Sequence, residues 1–334
     1  MTQTTTSLTN ATITKTGLWV LAGIVLVVWP WLTEDRFLHH VGVLILLTAI
    51  GAASLHLIVR TGHVSLCHAA FMAFGAYGSV LTVMRLGLPF PVGILVGAGA
   101  AALLAAIIGP IVLRLTGKYF VLITFMFGEV VRMAIVENVA LTGGSNGIFN
   151  VPPPAEIFLD TRAYYYLALA FAVFAIGLCA RILGSEFGRA MNAIKDGERL
   201  AECSGVPVIR FKVIIFIIAC ALAGMQGSLM AHYNKVLSPE NFTGLISLNL
   251  VVMNVIGGMS SLWGALIGTV FMVMLPELLR GYVNIQHIIF GAILFATMAF
   301  MPGGIIEAAR RIREFVLPKK PPTAATLARA GAAE

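Results

Sequence analysis

Residues 93–109 read GILVGAGAAALLAAIIG, a run of glycine, alanine and aliphatic side chains without a single charge. The apolar character extends over 92–115, and a helix needs only ~20 residues to cross the hydrocarbon core of a bilayer. Between helices immersed in lipid there is no hydrophobic drive to associate. Small residues, which let backbones approach closely, supply the packing instead. The glycines of this run therefore read as helix-contact positions inside a bundle.

The rest of the chain is built in the same way. Its 334 residues are 59% hydrophobic and 11% charged, whereas a soluble domain carries roughly 25% charged residues. So few charges cannot clothe a soluble surface of this size. A backbone in lipid must satisfy its own hydrogen bonds, which selects helices or closed barrels, and these runs do not alternate as barrel strands do. The expected fold is all-α: a polytopic helical bundle with ten spans, at 17–33, 40–59, 68–84, 92–115, 119–136, 164–183, 212–232, 245–263, 264–280 and 286–302.

The positive-inside rule orients this bundle. With the N-terminus cytoplasmic, Arg36, Arg85, Arg162, Lys235 and Arg280 fall outside and Arg132 lies within a span; the other sixteen of the 22 Lys and Arg fall inside. An even number of spans places both termini in the cytoplasm. The domains expected are an N-terminal tail 1–16, a transmembrane domain 17–305 interrupted by a cytoplasmic loop 184–211, and a C-terminal tail 306–334. The net charge of +7 reflects these inner loops and implies no nucleic-acid partner, because no basic patch is interleaved with aromatics. Cys67, Cys179, Cys203 and Cys220 form no CxxC pair and read as free thiols. No metal site is expected.

Three polar interruptions stand out. RTGHVSLCHAAF (60–71) separates the second and third spans, and GGMSSLWG (257–264) separates the eighth and ninth. Each is either a pair of discontinuous helices beside a transport path or an ordinary tight turn at the cytoplasmic surface. The third, ENVALTGGSNGIFNVPPP (137–154), lies on the outer side. From these stretches Ser65, His68, Gly144, Ser145 and Asn146 are candidates for lining a substrate path, joined by Asn249 and Asn254 of the eighth span. Glu129 and Arg132 complete the set. They stand three apart within YFVLITFMFGEVVRMAIV (119–136), hence on one helix face. Ionisable residues inside a span are costly, and usually paired; the pair either fixes the bundle interior or snorkels at the outer interface.

No GxxxxGK[ST] or HExxH motif occurs, so neither a phosphate loop nor an anchored metal of those kinds is in place. Uphill transport would draw its energy from an ion gradient or from a separate ATPase.

The stretch SEFGRAMNAIKDGERLAECSGVPVIRFK (185–212) carries charges of both signs. On a helical wheel over 189–203, Ala190, Met191, Ala193, Ile194, Leu200 and Ala201 gather on one side; Arg189, Asn192, Lys195, Asp196, Glu198, Arg199 and Glu202 take the other. Asp196–Gly197 marks a kink, and Gly205 with Pro207 a stop. Such a helix covers the bundle ends, binds anionic lipid, or inserts into a cytoplasmic partner. The acidic residues argue against pure lipid binding.

Part of this segment, AIKDGERLAECSGVPVIRFK (193–212), resembles the cytoplasmic coupling loop of the branched-chain amino acid permeases of bacterial ABC importers, the LivM type. In the broader importer pattern, Glu-Ala-Ala then three residues then Gly, the matching places are Arg199, Leu200, Ala201 and Gly205, of which Ala201 and Gly205 agree. GHVSLCHAAFMAFGAY (62–77), TFMFGEVVRM (124–133), LTGGSNG (141–147), LSPENF (237–242) and GGMSSLWGALIG (257–268) match the family in this order, over roughly 40–305; Cys67 stands where members often have Gly. The resemblance implies an inner-membrane permease without an ATP site. It binds no cofactor, and ATP is used by partner subunits. Those partners are a second, homologous permease, two cytoplasmic ATPase subunits and a periplasmic solute-binding protein. Arg189, Lys195, Asp196, Glu198, Arg199, Ala201 and Gly205 then form the ATPase-coupling set. The solutes compatible with it are branched-chain amino acids, urea-like amides and small carboxylates. Without the resemblance, an ion-coupled secondary transporter fits the same residues.

Overall fold

The computed structural model describes residues 25–33, 35–279, 288–289, 291–292, 295 and 303–307. The expected tail 1–16, the first half of the span 17–33, most of the span 286–302 and nearly all of the tail 306–334 lie outside the described residues. The chain divides into two compact units, Met1–Val251 and Val252–Glu334.

In the first unit, residues 25–32 are helical and are followed by α1 (Arg36–Val59), α2 (His68–Leu86), α3 (Phe90–Val112), α4 (Gly117–Glu137) and α5 (Thr161–Gly184). Two short helices come next, α6 (Glu186–Asp196) and α7 (Glu198–Cys203), then the long α8 (Val208–Asn234). Carboxylates start two of these helices: Asp35 accepts from the Phe37 amide and Asp160 from the Arg162 amide, each satisfying one orphan donor. Among the described residues, α1–α5 and α8 are the 6 single helices long and apolar enough to cross a membrane.

Contacts at the helix ends fix their directions. Phe90, opening α3, packs edge-on against His232 near the end of α8, with centroids 4.9 Å apart. Tyr164, opening α5, donates to the Leu229 carbonyl at 2.6 Å, and His40 near the start of α1 meets the Tyr233 hydroxyl at 2.6 Å. Thus α1, α3 and α5 run against α8. In contrast, Ser79 in the second half of α2 bonds His232 at 3.1 Å, and Arg85 near the end of α2 donates to the Ala140 carbonyl just past α4. The six helices therefore alternate in direction, as the sequence reading requires of spans two to seven.

Glycine sets how closely these helices approach. A Cβ on Gly75 (α2) would overlap the backbone of Gly224 (α8), one on Gly97 (α3) would overlap the Gly75 carbonyl, and one on Gly227 (α8) the Met72 carbonyl. Ser228 closes the same contact by donating to the Gly75 carbonyl at 2.8 Å. Gly99 has nothing within 4 Å, so only part of the small-residue run is buried packing. Beyond α4 the chain makes a one-turn helix (Val139–Thr142), a 3-10 turn (Gly144–Asn146) and a two-residue strand β1 (Ile148–Phe149). β1 pairs antiparallel with β2 (Val236–Leu237), Ile148 facing Leu237 and Phe149 facing Val236. This small ladder is the one departure from the all-α expectation among the described residues.

The last helix to begin in the first unit is α9 (Gly244–Gly257). Its 14 residues rise about 21 Å at 1.5 Å per residue, short of the ~30 Å hydrocarbon core. In the second unit the chain bends by 116° after Gly257 and resumes as α10 (Leu262–Leu278). Close backbone contacts pin this bend: a Cβ on Gly257 would overlap the Gly264 carbonyl, and one on Gly268 the Met253 carbonyl. By length and composition neither half passes as a span by itself, and together they make a broken span or a re-entrant loop, where the sequence reading has an eighth and a ninth span.

Candidate functional site

The interruption after α1 is not a surface turn. Thr61, His63, Ser65 and Cys67 are all buried. From His63 to Cys67 the chain follows one face of α4: the His63 ring meets Phe120 edge-on at 4.9 Å, the Leu66 amide donates to Thr124 Oγ1 at 3.2 Å, and a Cβ on Gly128 would stand 3.6 Å from the Leu66 carbonyl. Phe120, Thr124 and Gly128 are spaced by four, so the irregular stretch runs about 12 Å along the helix. Irregular backbone of this kind is tolerated where protein surrounds it. Of the two readings of 60–71, the discontinuous one fits.

At its far end this stretch delivers Ser65 and His68, both fully buried. Ser65 Oγ lies 3.0 Å from Cys67 Sγ. His68 Nε2 meets Ser54 Oγ at 3.1 Å, while its Nδ1 has no partner. The next amide, of Ala69, donates to Ser247 Oγ on α9 at 2.8 Å.

At its near end the stretch holds the segment 184–211. The wheel treats 189–203 as one helix, but Gly197 is extended (φ 178°, ψ 105°) and breaks it into α6 and α7, so the helical phase restarts. Met191, Ile194 and Ala201 are buried as the wheel has them. Ala193 and Leu200 are not: both are exposed, Leu200 by 74%, in place of the buried side the wheel gives them. Glu198 turns inward instead of outward, and its carboxylate pairs with the ammonium of Lys212 at the start of α8. Lys212 is 1% exposed, and a charge so buried persists only when paired. Its Nζ also lies 3.4 Å from His63 Nε2.

His63 Nδ1 is 3.1 Å from the Thr61 carbonyl, which assigns the proton to Nδ1 and leaves Nε2 as an acceptor for Lys212. Burial, then the adjacent Lys212 charge, pushes the His63 pKa below its ordinary 6.5. The imidazole is thus neutral near pH 7. Its 3.8 Å approach to Glu198 is a polar contact and not an ion pair. A second fastening lies beside it, where Arg60 donates to Asn192 Oδ1 at 2.5 Å.

The outward side of α6–α7 carries exposed Arg189, Lys195, Asp196, Arg199, Leu200 and Glu202. Arg189 pairs with Glu186 at 3.0 Å, both well exposed, a contact worth little energetically. The exposed Gly205 has φ +84°, where a Cβ is strained. Its amide bonds the Glu202 carbonyl and that of Val206 bonds Ala201, so this glycine closes the end of α7.

The other candidates stand apart. Glu129 accepts from Arg132 Nε at 2.8 Å and from the Gly244 amide at 3.1 Å, so it also caps the start of α9. Arg132 further reaches Glu240 at 3.5 Å. Gly144 is buried, and Ser145 and Asn146 are exposed on the turn beyond α4, at the opposite end of the bundle from α6–α7. Asn249 is exposed on α9, and Asn254 is buried in the second unit. The sequence reading named neither Lys212 nor His63 as a site residue. The available signal was one lysine heading the apolar run VIIFIIACALAG, with a glutamate fourteen positions earlier.

An alternating bundle of apolar helices with a broken helix inside and an amphipathic segment fastened across one end defines a polytopic membrane protein of the permease class. The family model described as branched-chain amino acid transport system / permease component matches residues 38–301, and the chain belongs to that family. It is 29% identical over 324 residues to the high-affinity branched-chain amino acid transport system permease protein LivM of Escherichia coli K12, covering 89% of this chain and 76% of the relative. The LivM protein of Salmonella typhimurium is also 29% identical, over 327 residues, with the same coverage. LivH of Escherichia coli K12 is 25% identical over 148 residues, 43% of this chain and 47% of the relative. No solved structure matches it significantly.

Proposed function

We propose that the chain is a membrane-spanning subunit of an ABC importer in the bacterial inner membrane, forming part of the translocation path for branched-chain or related amino acids. It pairs with a second, homologous permease. Two cytoplasmic ATPase subunits dock on α6–α7, and a periplasmic binding protein delivers solute at the opposite end, near 137–154. The chain itself has no ATP site; nucleotide belongs to the ATPases.

One observation carries this reading: α6–α7 is fastened to the bundle by Lys212, Glu198 and Asn192 while a face of mixed charge surrounding Leu200 stays open. An exposed leucine ringed by charges of both signs suits a protein partner, with an apolar anchor and a polar rim. The likeness to both LivM and LivH supports a homologous second permease.

Both termini are cytoplasmic in this reading. Residues 257–264 carry no charge, so the Lys/Arg split is the same whether α9 and α10 are two short spans or a re-entrant pair. Either arrangement keeps the termini on one side, whereas a single broken span would part them. The test is uptake of radiolabelled leucine, isoleucine and valine into proteoliposomes holding the permease pair and the ATPases, with binding protein added outside. Uptake that needs internal ATP is expected. Uptake by this chain alone, driven by an ion gradient, contradicts it.

A further inference from the structure

Lys212 is an unusual place to keep a charge. It is nearly sealed from solvent, yet it heads a transmembrane helix whose neighbouring residues need no cation. What it does is join three separate pieces of chain: the start of α8, the start of α7 through Glu198, and the irregular stretch after α1 through His63. Arg60 and Asn192 repeat the link between that stretch and α6. A Cβ on Gly62 would stand 3.7 Å from Lys195 Cα, so the two segments also pass close to one another here. The stretch then continues along α4, ends on Ser65 and His68, and through the Ala69 amide meets Ser247 of α9. Lys212, His63, Ser65, His68 and Ser247 are buried along this route, whereas Glu198 is half-open and the Arg60–Asn192 contact lies at the surface.

We infer that Lys212, Glu198 and His63 form a joint that makes α6–α7 and Arg60–Cys67 move as one body, so that displacement of the coupling segment reaches the start of α2 and α9. This rests on the reading of the chain as an ATPase-driven permease. Lys212 and His63 are positioning residues: they touch neither solute nor nucleotide. A charged pair suits the task, because it is directional and tolerates no slippage once buried, whereas an apolar contact slides. The two-sided grip on Lys212 also explains why Glu198 points inward although its neighbours Arg199 and Leu200 face out.

The test uses the complete transporter in proteoliposomes, with leucine uptake and ATP hydrolysis measured together. Lys212→Met is expected to retain the ATPase subunits on purification and to hydrolyse ATP, but with uptake per ATP reduced at least ten-fold. The exchange Lys212→Glu with Glu198→Lys is expected to recover at least half of the wild-type ratio. A second arm does not depend on those variants folding. Arg60→Cys with Asn192→Cys, in a Cys203→Ser background, is bridged by a short bifunctional thiol reagent. If the two segments move together, bridging leaves uptake per ATP within two-fold of the unbridged protein. A wild-type ratio in Lys212→Met, or loss of uptake on bridging, overturns the joint. A wild-type transporter with no ATP-dependent uptake overturns the permease reading itself, and the joint with it.

Discussion

The Lys212 ammonium is held by the Glu198 carboxylate, fourteen residues before it in sequence, with the lysine side chain 1% and the glutamate 36% exposed. Breaking a fully buried pair costs ~3–5 kcal/mol. Solvent at Glu198 reduces that here to about 1–3 kcal/mol. Lys212→Met should lower the melting temperature of the purified protein more than the double variant Lys212→Met with Glu198→Met, which leaves no charge behind. Equal melting temperatures for the two would mean that an unpaired Glu198 costs nothing.

Glu129 and Arg132 are not equivalent partners. Glu129 serves Arg132 and the Gly244 amide, whereas Arg132 has carboxylates only. Loss of a helix cap costs about 0.5–2 kcal/mol, so Glu129→Ala should destabilise more than Arg132→Ala by roughly that amount. Thermal unfolding of both variants checks this; a larger loss in Arg132→Ala would show that the cap on α9 is unimportant.

Helix contact through glycine gives a sharper contrast. Gly75→Ala forces a methyl group into the Gly224 backbone, and overpacking typically costs ~1–3 kcal/mol. Gly99→Ala meets open space and should be neutral. The measurement is the folded fraction on size-exclusion chromatography after detergent extraction, and similar yields would place the α2–α8 contact elsewhere.

Acid should loosen the coupling segment. The folded His63 pKa lies below its ordinary 6.5, so below that pH the unfolded chain binds more protons than the folded one, and stability falls as pH falls. The contribution is complete above 6.5 and is lost through the window beneath it. The groups facing His63 are Lys212, Glu198, Thr61, Phe120 and the Leu115 backbone. Between pH 7.5 and 5.5 the wild type should lose more thermal stability than His63→Gln. Parallel pH profiles would remove His63 from the account.

Orientation has a native reporter. Cys203 is exposed on α7, while Cys67, Cys179 and Cys220 are buried. A membrane-impermeant thiol reagent should label inside-out vesicles through Cys203 and leave intact spheroplasts unlabelled. Labelling of spheroplasts at Cys203 would invert the topology.

Much of the bundle is legible in sequence because apolar length alone marks a span: α1–α5 and α8 fall within a few residues of the runs that foretell them. What periodicity cannot supply is depth. The interruption at 60–71 reads equally as a turn or a broken helix until Phe120, Thr124 and Gly128 are seen to line its course. Likewise, 245–263 is apolar enough to read as a span, but Gly257 ends α9 after 14 residues. The wheel fails at Leu200 and Glu198 for a local reason. A single extended residue, Gly197, resets the phase, and the resulting inward turn of Glu198 is what finds Lys212. Long-range pairs such as Glu129 with Gly244 leave no trace in spacing at all.

The direct test of the docking reading places a photo-reactive side chain at Leu200, whose 74% exposure at the centre of the open face makes it the expected anchor. In the assembled transporter, irradiation should yield an adduct of this chain with the ATPase subunit, and its yield should change when ATP is trapped by vanadate. The same group at Ser145 should give no ATPase adduct. If Leu200 captures only lipid or this chain itself while the complex is active, the ATPase does not dock on α6–α7, and the segment is a lid on the bundle.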